Sequence, residues 1–252
     1  MLEGRMLDRV RAVARRVGRQ LAHDRRFLGL SLLAPLLIIY VSRAALDSFN
    51  TGFFDITRFV APIGAFVVHF ITYILCAIVL VRERSAETLA RMFVNGYRPV
   101  DIIGGYVLAY TCLATVQSLL VLTALRALFH LAYPVSTLLS IYLIVWLLAV
   151  ISICLGIFVS NFARTEGQVF PFIPLVTVPG IFLSGLVIPV ESLPRWAQWL
   201  SHVTPLYYAN QIIRQIIQPG VTLADHLPRL AALAAYGFVV LVLAMSTLRE
   251  SE

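Results

Sequence analysis

Apolar and polar positions divide the chain into long hydrophobic stretches separated by short, arginine-bearing connections. About 20 apolar residues in helical form, at roughly 1.5 Å per residue, cross about 30 Å of hydrocarbon. Six segments reach that length: Phe27 to Leu46, Phe59 to Val81, Val100 to Leu125, Thr137 to Phe162, Val169 to Val190 and Leu230 to Leu248. Pro35 interrupts the first, and Arg43 near its end must snorkel to the interface. A signal peptide does not suit this segment, because 26 residues precede it and no A-x-A site follows. The pattern predicts an all-α integral membrane protein with six transmembrane helices, residues 1–26 forming a separate basic helix and 27–252 the transmembrane domain.

Shorter periodic runs predict the elements between the spans. Met6, Val10, Val13, Val17 and Leu21 recur at helical spacing, while Arg5, Arg9, Arg11, Arg15, Arg16 and Arg19 fill much of the remaining surface. This is the pattern of a basic amphipathic helix lying on the inner membrane surface. Between the second and third spans, Leu89, Met92 and Phe93 form one apolar face, and Glu87 precedes Arg91 by one helical turn. Asn95-Gly96 supplies a left-handed stop and Pro99 a start for the next helix, so a short cytoplasmic helix is expected within residues 83–98. The fifth span holds Pro171, Pro174 and Pro179; each removes a backbone donor where no water replaces it, so the helix must be kinked and packed on protein or a wet cavity. Residues 190–218 carry two runs too short to cross, expected to be re-entrant or lying outer helices, with Trp196, Trp199, Tyr207 and Tyr208 as an aromatic belt.

Composition narrows the function. Hydrophobic residues make up 60% of the 252, charged residues 13%, and mean hydropathy is +0.86, so lipid is the main solvent of this chain. All 20 basic residues are arginine. A phosphate-binding loop of the G-x-x-x-x-G-K-[ST] type needs a lysine, so any ATP-hydrolysing site of that type lies on a partner. Of those 20 arginines, 14 fall on the side that holds both termini when six spans are threaded, which predicts cytoplasmic termini. Cys76, Cys112 and Cys154 sit in apolar runs without metal or disulfide spacing and are read as small buried hydrophobes.

Leu183-Ser184-Gly185, then Pro189, Leu193-Pro194, Trp196, and Pro205 with Tyr207 and Tyr208, resemble the stretch after the fifth span in type-2 ABC exporter permeases. Arg82-Glu83-Arg84, Thr88-Leu89 and Pro99 to Gly105 resemble that family's coupling helix and the start of its third span. The short connection Asp47 to Arg58 and the run Asp24-Arg25-Arg26-Phe27 are similar to the daunorubicin-resistance type of drug permease. Ala86 departs from the glycine usual in the family. The resemblance implies a bacterial inner-membrane permease subunit that is not itself an enzyme and exports drug-like or antibiotic-like molecules by alternating access. It implies two copies of an ABC ATPase carrying ATP and Mg, and a second permease, identical or homologous. Arg82, Glu83, Arg84, Glu87, Arg91, Arg98, Arg164 and Glu166 are then expected where the ATPase docks.

Phe66, His69, Phe70 and Tyr73 of the second span and Phe172, Thr177, Phe182 and Ser184 of the fifth are candidates for the substrate path, since membrane binding sites lie at helix interfaces near midplane. His69 stands out as an ionisable group at depth, with Gln117 its polar counterpart in the third span. Membrane lipids and a hydrophobic small molecule are the expected ligands, with no cofactor, metal or nucleic acid on this chain. Export of lipids or lipid-linked polysaccharides fits the same lining. A secondary transporter would need intramembrane carboxylates, whereas Asp101 and Glu166 lie at span ends. An intramembrane enzyme lacks paired carboxylates or a nucleophile with a base, and a membrane scaffold remains as a third class.

Overall fold

A computed structural model describes residues 2–48 and 57–248. In chain order its helices are α1 (Leu2–His23), α2 (Arg25–Ser48), α3 (Thr57–Ser85), α4 (Thr88–Val94), α5 (Pro99–Phe129), α6 (Val135–Ser160), α7 (Glu166–Val169), α8 (Phe172–Leu183), α9 (Arg195–Ser201), α10 (Pro205–Ile216) and α11 (Leu227–Thr247). Among the described residues six segments are long and apolar enough to cross a membrane: Arg25–Leu46, Arg58–Ser85, Pro99–Phe129, Val135–Ser160, Glu166–Leu183 and Leu223–Thr247. The expected six-span, all-helical architecture is therefore found. Most of the connection Asp47 to Arg58 lies outside the described residues, as does Arg249.

The fifth span differs from its expected bounds. It begins at Glu166, breaks around Phe170–Pro171, and ends at Leu183 rather than Val190. Leu186 to Val190 is as apolar as the helix before it, but Gly185 takes a φ of +78°, which terminates the helix in a conformation costly for other residues. By contrast α2 runs through Pro35 without a break. It starts where Asp24 Oδ1 accepts the Phe27 N–H at 2.9 Å, so the boundary with α1 falls at residue 24 rather than 26.

The core is built on α3 and α6. Gly156 of α6 lies against the α3 backbone: a Cβ there would stand 2.6 Å from the Tyr73 carbonyl oxygen and 2.8 Å from the Ala77 nitrogen. Leu148, Ile153 and Ile157 of α6 are buried as well, and Ile151 packs against Gly237 of α11. Thr72 donates to Gln117 Oε1 at 3.2 Å and Trp146 Nε1 to Thr115 Oγ1 at 2.9 Å, so α3 and α6 are also bonded to α5. The buried face of α10, including Leu206, Ala209, Ile212 and Ile213, packs among α3, α6 and α11.

The apolar stripe of α1 has a partner within the protein. Val13 and Val17 are buried, and Val13 lies over Gly105 of α5, where a Cβ would approach it to 2.5 Å. Met6 remains exposed. Arg9 Nη1 donates to the Gly96 carbonyl at 2.6 Å, which sets α1 beside the C-terminal end of α4.

Candidate functional site

At the α4 end of the bundle, α3 continues to Ser85, turns through Ala86 and Glu87, and restarts as α4. The short helix therefore covers Thr88–Val94, and Glu83 to Ser85 complete α3 instead. Glu87 adopts φ 56° at this corner, and among the described residues it forms no ion pair with Arg91. Leu89 and Met92 anchor α4 in the core, while Glu87 and Arg91 are exposed and Val94 is 82% exposed. Gly96 ends the helix at φ +78°, and the Arg98 backbone N–H donates to Asp101 Oδ2 at 3.0 Å to start α5.

The eight residues expected at the docking surface separate into two groups. Arg82, Glu87, Arg91, Arg98, Arg164 and Glu166 are exposed. Arg82 Nε donates to Glu166 Oε1 at 2.9 Å, joining the end of α3 to α7. Glu83 and Arg84 face inward. Glu83 is 6% exposed and accepts a bond from Arg16 Nη2 at 2.7 Å; the same nitrogen lies 3.0 Å from the Tyr106 hydroxyl. Burial by itself would lower the Arg16 pKa, but Tyr106 and Glu83 outweigh it and raise the value, so the guanidinium stays charged. Arg84 Nη1 donates to the carbonyls of Ser160 at 3.1 Å and Ala163 at 2.5 Å, covering free acceptors at the end of α6. These two side chains hold helices together rather than offering contacts outward.

Arg16 and Tyr106 were not anticipated as partners of Glu83. A signal existed: Arg16 borders the apolar stripe of α1, one turn from Val13 and next to Val17, where a cation needs a counter-ion.

The substrate-path candidates are also divided. His69 is buried, and its Nδ1 lies 2.7 Å from Ser152 Oγ. That hydroxyl donates to the Leu148 carbonyl at 2.6 Å, so it accepts from His69 Nδ1–H. His69 lines a cavity of about 470 Å³ with Leu155 and Phe158 of α6, Val176 and Pro179 of α8, Pro205 of α10 and Val240 of α11. Phe66 and Phe70 are half-buried and stack with centroids 5.6 Å apart. Tyr73 is fully buried and donates to the Phe172 carbonyl at 3.0 Å, tying α3 to α8. Thr177 bonds back to the Ile173 carbonyl at 2.8 Å. Ser184 is buried and accepts from Asn210 Nδ2 at 3.2 Å, and Phe182 is 50% exposed. Of these eight residues only His69 reaches the cavity. Among the described residues no group of three or more His, Cys, Asp or Glu side chains could hold a metal.

A six-span helical bundle with a short exposed helix between its second and third spans, and a broken fifth span followed by short packed helices, agrees with a sequence match over residues 9–217 to the family model described as ABC-2 type transporter. The chain belongs to the ABC-2 type transporter family. Similar proteins include ABC transporter G family member 20 of Dictyostelium discoideum, 26% identical over 81% of this chain and 27% of that protein. The probable multidrug ABC transporter permease YbhR of Escherichia coli K12 is 29% identical over 57% of this chain and 39% of its own length. The linearmycin resistance permease protein LnrN of Bacillus subtilis is 22% identical over 68% of this chain and 44% of its own. The chain thus spans less than half the length of each of these relatives.

Proposed function

We propose that this ABC-2 chain is the membrane permease subunit of an ATP-driven exporter, moving hydrophobic or amphipathic molecules outward through the bacterial inner membrane with both termini in the cytoplasm. The observation that carries the reading is α4: a seven-residue helix fixed by Leu89 and Met92, with Glu87, Arg91 and the apolar Val94 left exposed. An exposed valine one turn from Arg91 on an anchored helix suits insertion into a partner, here an ABC ATPase present in two copies and carrying ATP and Mg. Arg82 and Glu166 link that helix's supporting strut to the fifth span, so displacement of α4 has a route to α8. A second permease, identical or homologous, completes the path.

Transport then follows from two permease conformers that the ATPase stabilises differently. The His69 cavity, lined mainly by apolar side chains with His69, Thr204 and Tyr236 as its polar members, supports a hydrophobic cargo with few polar groups; a lipid satisfies the same description and is the second reading. Reconstitution with the ATPase encoded nearest the gene tests the assignment. The complex should hydrolyse ATP and move a hydrophobic dye, and Arg82→Ala with Arg91→Ala should uncouple the two. Normal coupling in that double variant counts against the docking surface. Labelling of a cysteine placed at Trp199 from the cytoplasmic side overturns the orientation.

A further inference from the structure

The end of the bundle opposite α4 contains a second cavity, of about 660 Å³, bordered by the start of α3, the loop after α8 and one face of α10. Its lining is polar. Gln211, Arg214, Gln215 and Gln218 come from α10 and the residues just after it, at spacings that place them on one face, opposite the buried Ile212, Ile213 and Ile216. Among the described residues Arg58 and Glu191 complete the charged lining, giving two guanidinium groups and one carboxylate.

Arg214 is half-buried, and its Nε is buried without a hydrogen-bond partner. One Nη reaches the Leu186 carbonyl at a long 3.3 Å, and the guanidinium carbon lies 5.6 Å from the Phe59 ring centroid, which holds the fork in place. Glu191 borders the same cavity but forms no ion pair with Arg214. Burial lowers the pKa of Arg214; Glu191 raises it in part, and Arg58 lowers it again. The site thus contains a desolvated cation whose compensation is incomplete, a condition that a bound anion relieves. Gln215 Oε1 already accepts from Arg229 Nη1 at 2.8 Å, which leaves its amide nitrogen as a donor. On the loop between Gly185 and Pro189, which both border the cavity, Val187 and Ile188 are 53% and 40% exposed, so an apolar edge adjoins the polar basin.

We propose that this cavity binds the anionic headgroup of a phosphate-bearing amphiphile, with the phosphate on Arg214 and the α10 amides and the apolar tail along Val187 and Ile188. Binding here is independent of the transport reading, because it concerns the permease chain alone and needs neither ATPase nor cargo.

The test uses the purified full chain in a neutral maltoside detergent, titrated with dihexanoyl phosphatidylglycerol, dihexanoyl phosphatidylcholine and glycerol 3-phosphate. Phosphatidylglycerol should bind about tenfold more tightly than either of the others, a factor on the scale of one charge-assisted interaction. Arg214→Gln should remove most of that preference, and Gln218→Ala, at the exposed rim, should weaken it by a smaller factor. Arg126→Gln deletes an exposed charge at the same end outside the cavity and should leave binding unchanged. Equal losses in Arg126→Gln and Arg214→Gln identify diffuse surface attraction and overturn the site. Glycerol 3-phosphate binding as tightly as the lipid identifies a soluble phosphate ligand and overturns the amphiphile. Unchanged binding in both cavity variants overturns the proposal, and the Gln218 result decides if Arg214→Gln does not fold.

Discussion

α6 and the α7–α8 segment are both apolar enough to cross a membrane but have opposite surroundings. Of the most hydrophobic stretch of α6, 72% is buried inside the bundle, against 22% for Glu166–Leu183. α6 has no internal proline and meets α3 backbone to backbone at Gly156, whereas α8 contains Pro179 and begins after a break at Pro171. The first is a strut whose partners are fixed; the second touches the bundle mainly through Tyr73, Thr177 and Leu183 and leaves Leu175, Val178 and Phe182 exposed. Hydrophobicity alone therefore says that a helix is in the membrane. The closeness of its backbone to a neighbour says whether it can move.

Substitutions on the two segments sharpen this contrast. Gly156→Val should have the largest effect, because the added carbons meet backbone atoms that cannot rotate away; a loss above about 3 kcal/mol, seen as a collapse of the thermal transition in detergent, is expected. Ser152→Ala should cost about 1–3 kcal/mol, by leaving the buried His69 Nδ1–H without an acceptor. If either variant unfolds at the wild-type temperature, α6 is not the rigid member. Pro179→Ala should shift stability by less than about 1 kcal/mol, because restoring a donor in a poorly packed helix changes few contacts. In the reconstituted complex the same change should reduce transport per ATP hydrolysed, and an unaltered ratio would argue that α8 does not move. Smallest in stability is Arg82→Glu, at most about 1 kcal/mol for so exposed a pair. Its loss of coupling should be recovered when Glu166→Arg is added, which separates a tether from a mere surface contact.

The six spans were legible because bilayer thickness imposes a length that few other constraints mimic. The end of the fifth was not, since Leu186, Val187 and Ile188 continue the apolar run and only the left-handed Gly185 interrupts the helix. Asn95-Gly96 and Pro99 were readable as stop and start for the opposite reason: both are local backbone signals. Glu83 and Arg84 were expected on the docking surface from the resemblance of Arg82-Glu83-Arg84 to the family's coupling helix. They belong to the last turn of α3, so the faces they occupy are set by that helix, and Glu83 follows the buried Cys76 and Leu80 along it. Tyr73 and Ser184 were expected on the substrate path; each is buried and has its hydrogen bond inside the protein. Neither cavity was visible in the sequence, because each is lined by residues far apart in the chain, from Arg58 to Pro219 in one and from His69 to Leu243 in the other.

The seat of α1 on Gly105 has a consequence for the order of events on the ribosome. Val13 and Val17 emerge first, yet the α5 surface that covers them is made some 90 residues later. At roughly 5–20 residues per second, the stripe must wait about 5–20 s before its partner exists. During that interval the surface of the bilayer is the apolar phase within reach, so a newborn α1 should rest on lipid and exchange it for protein only as the third span enters the membrane.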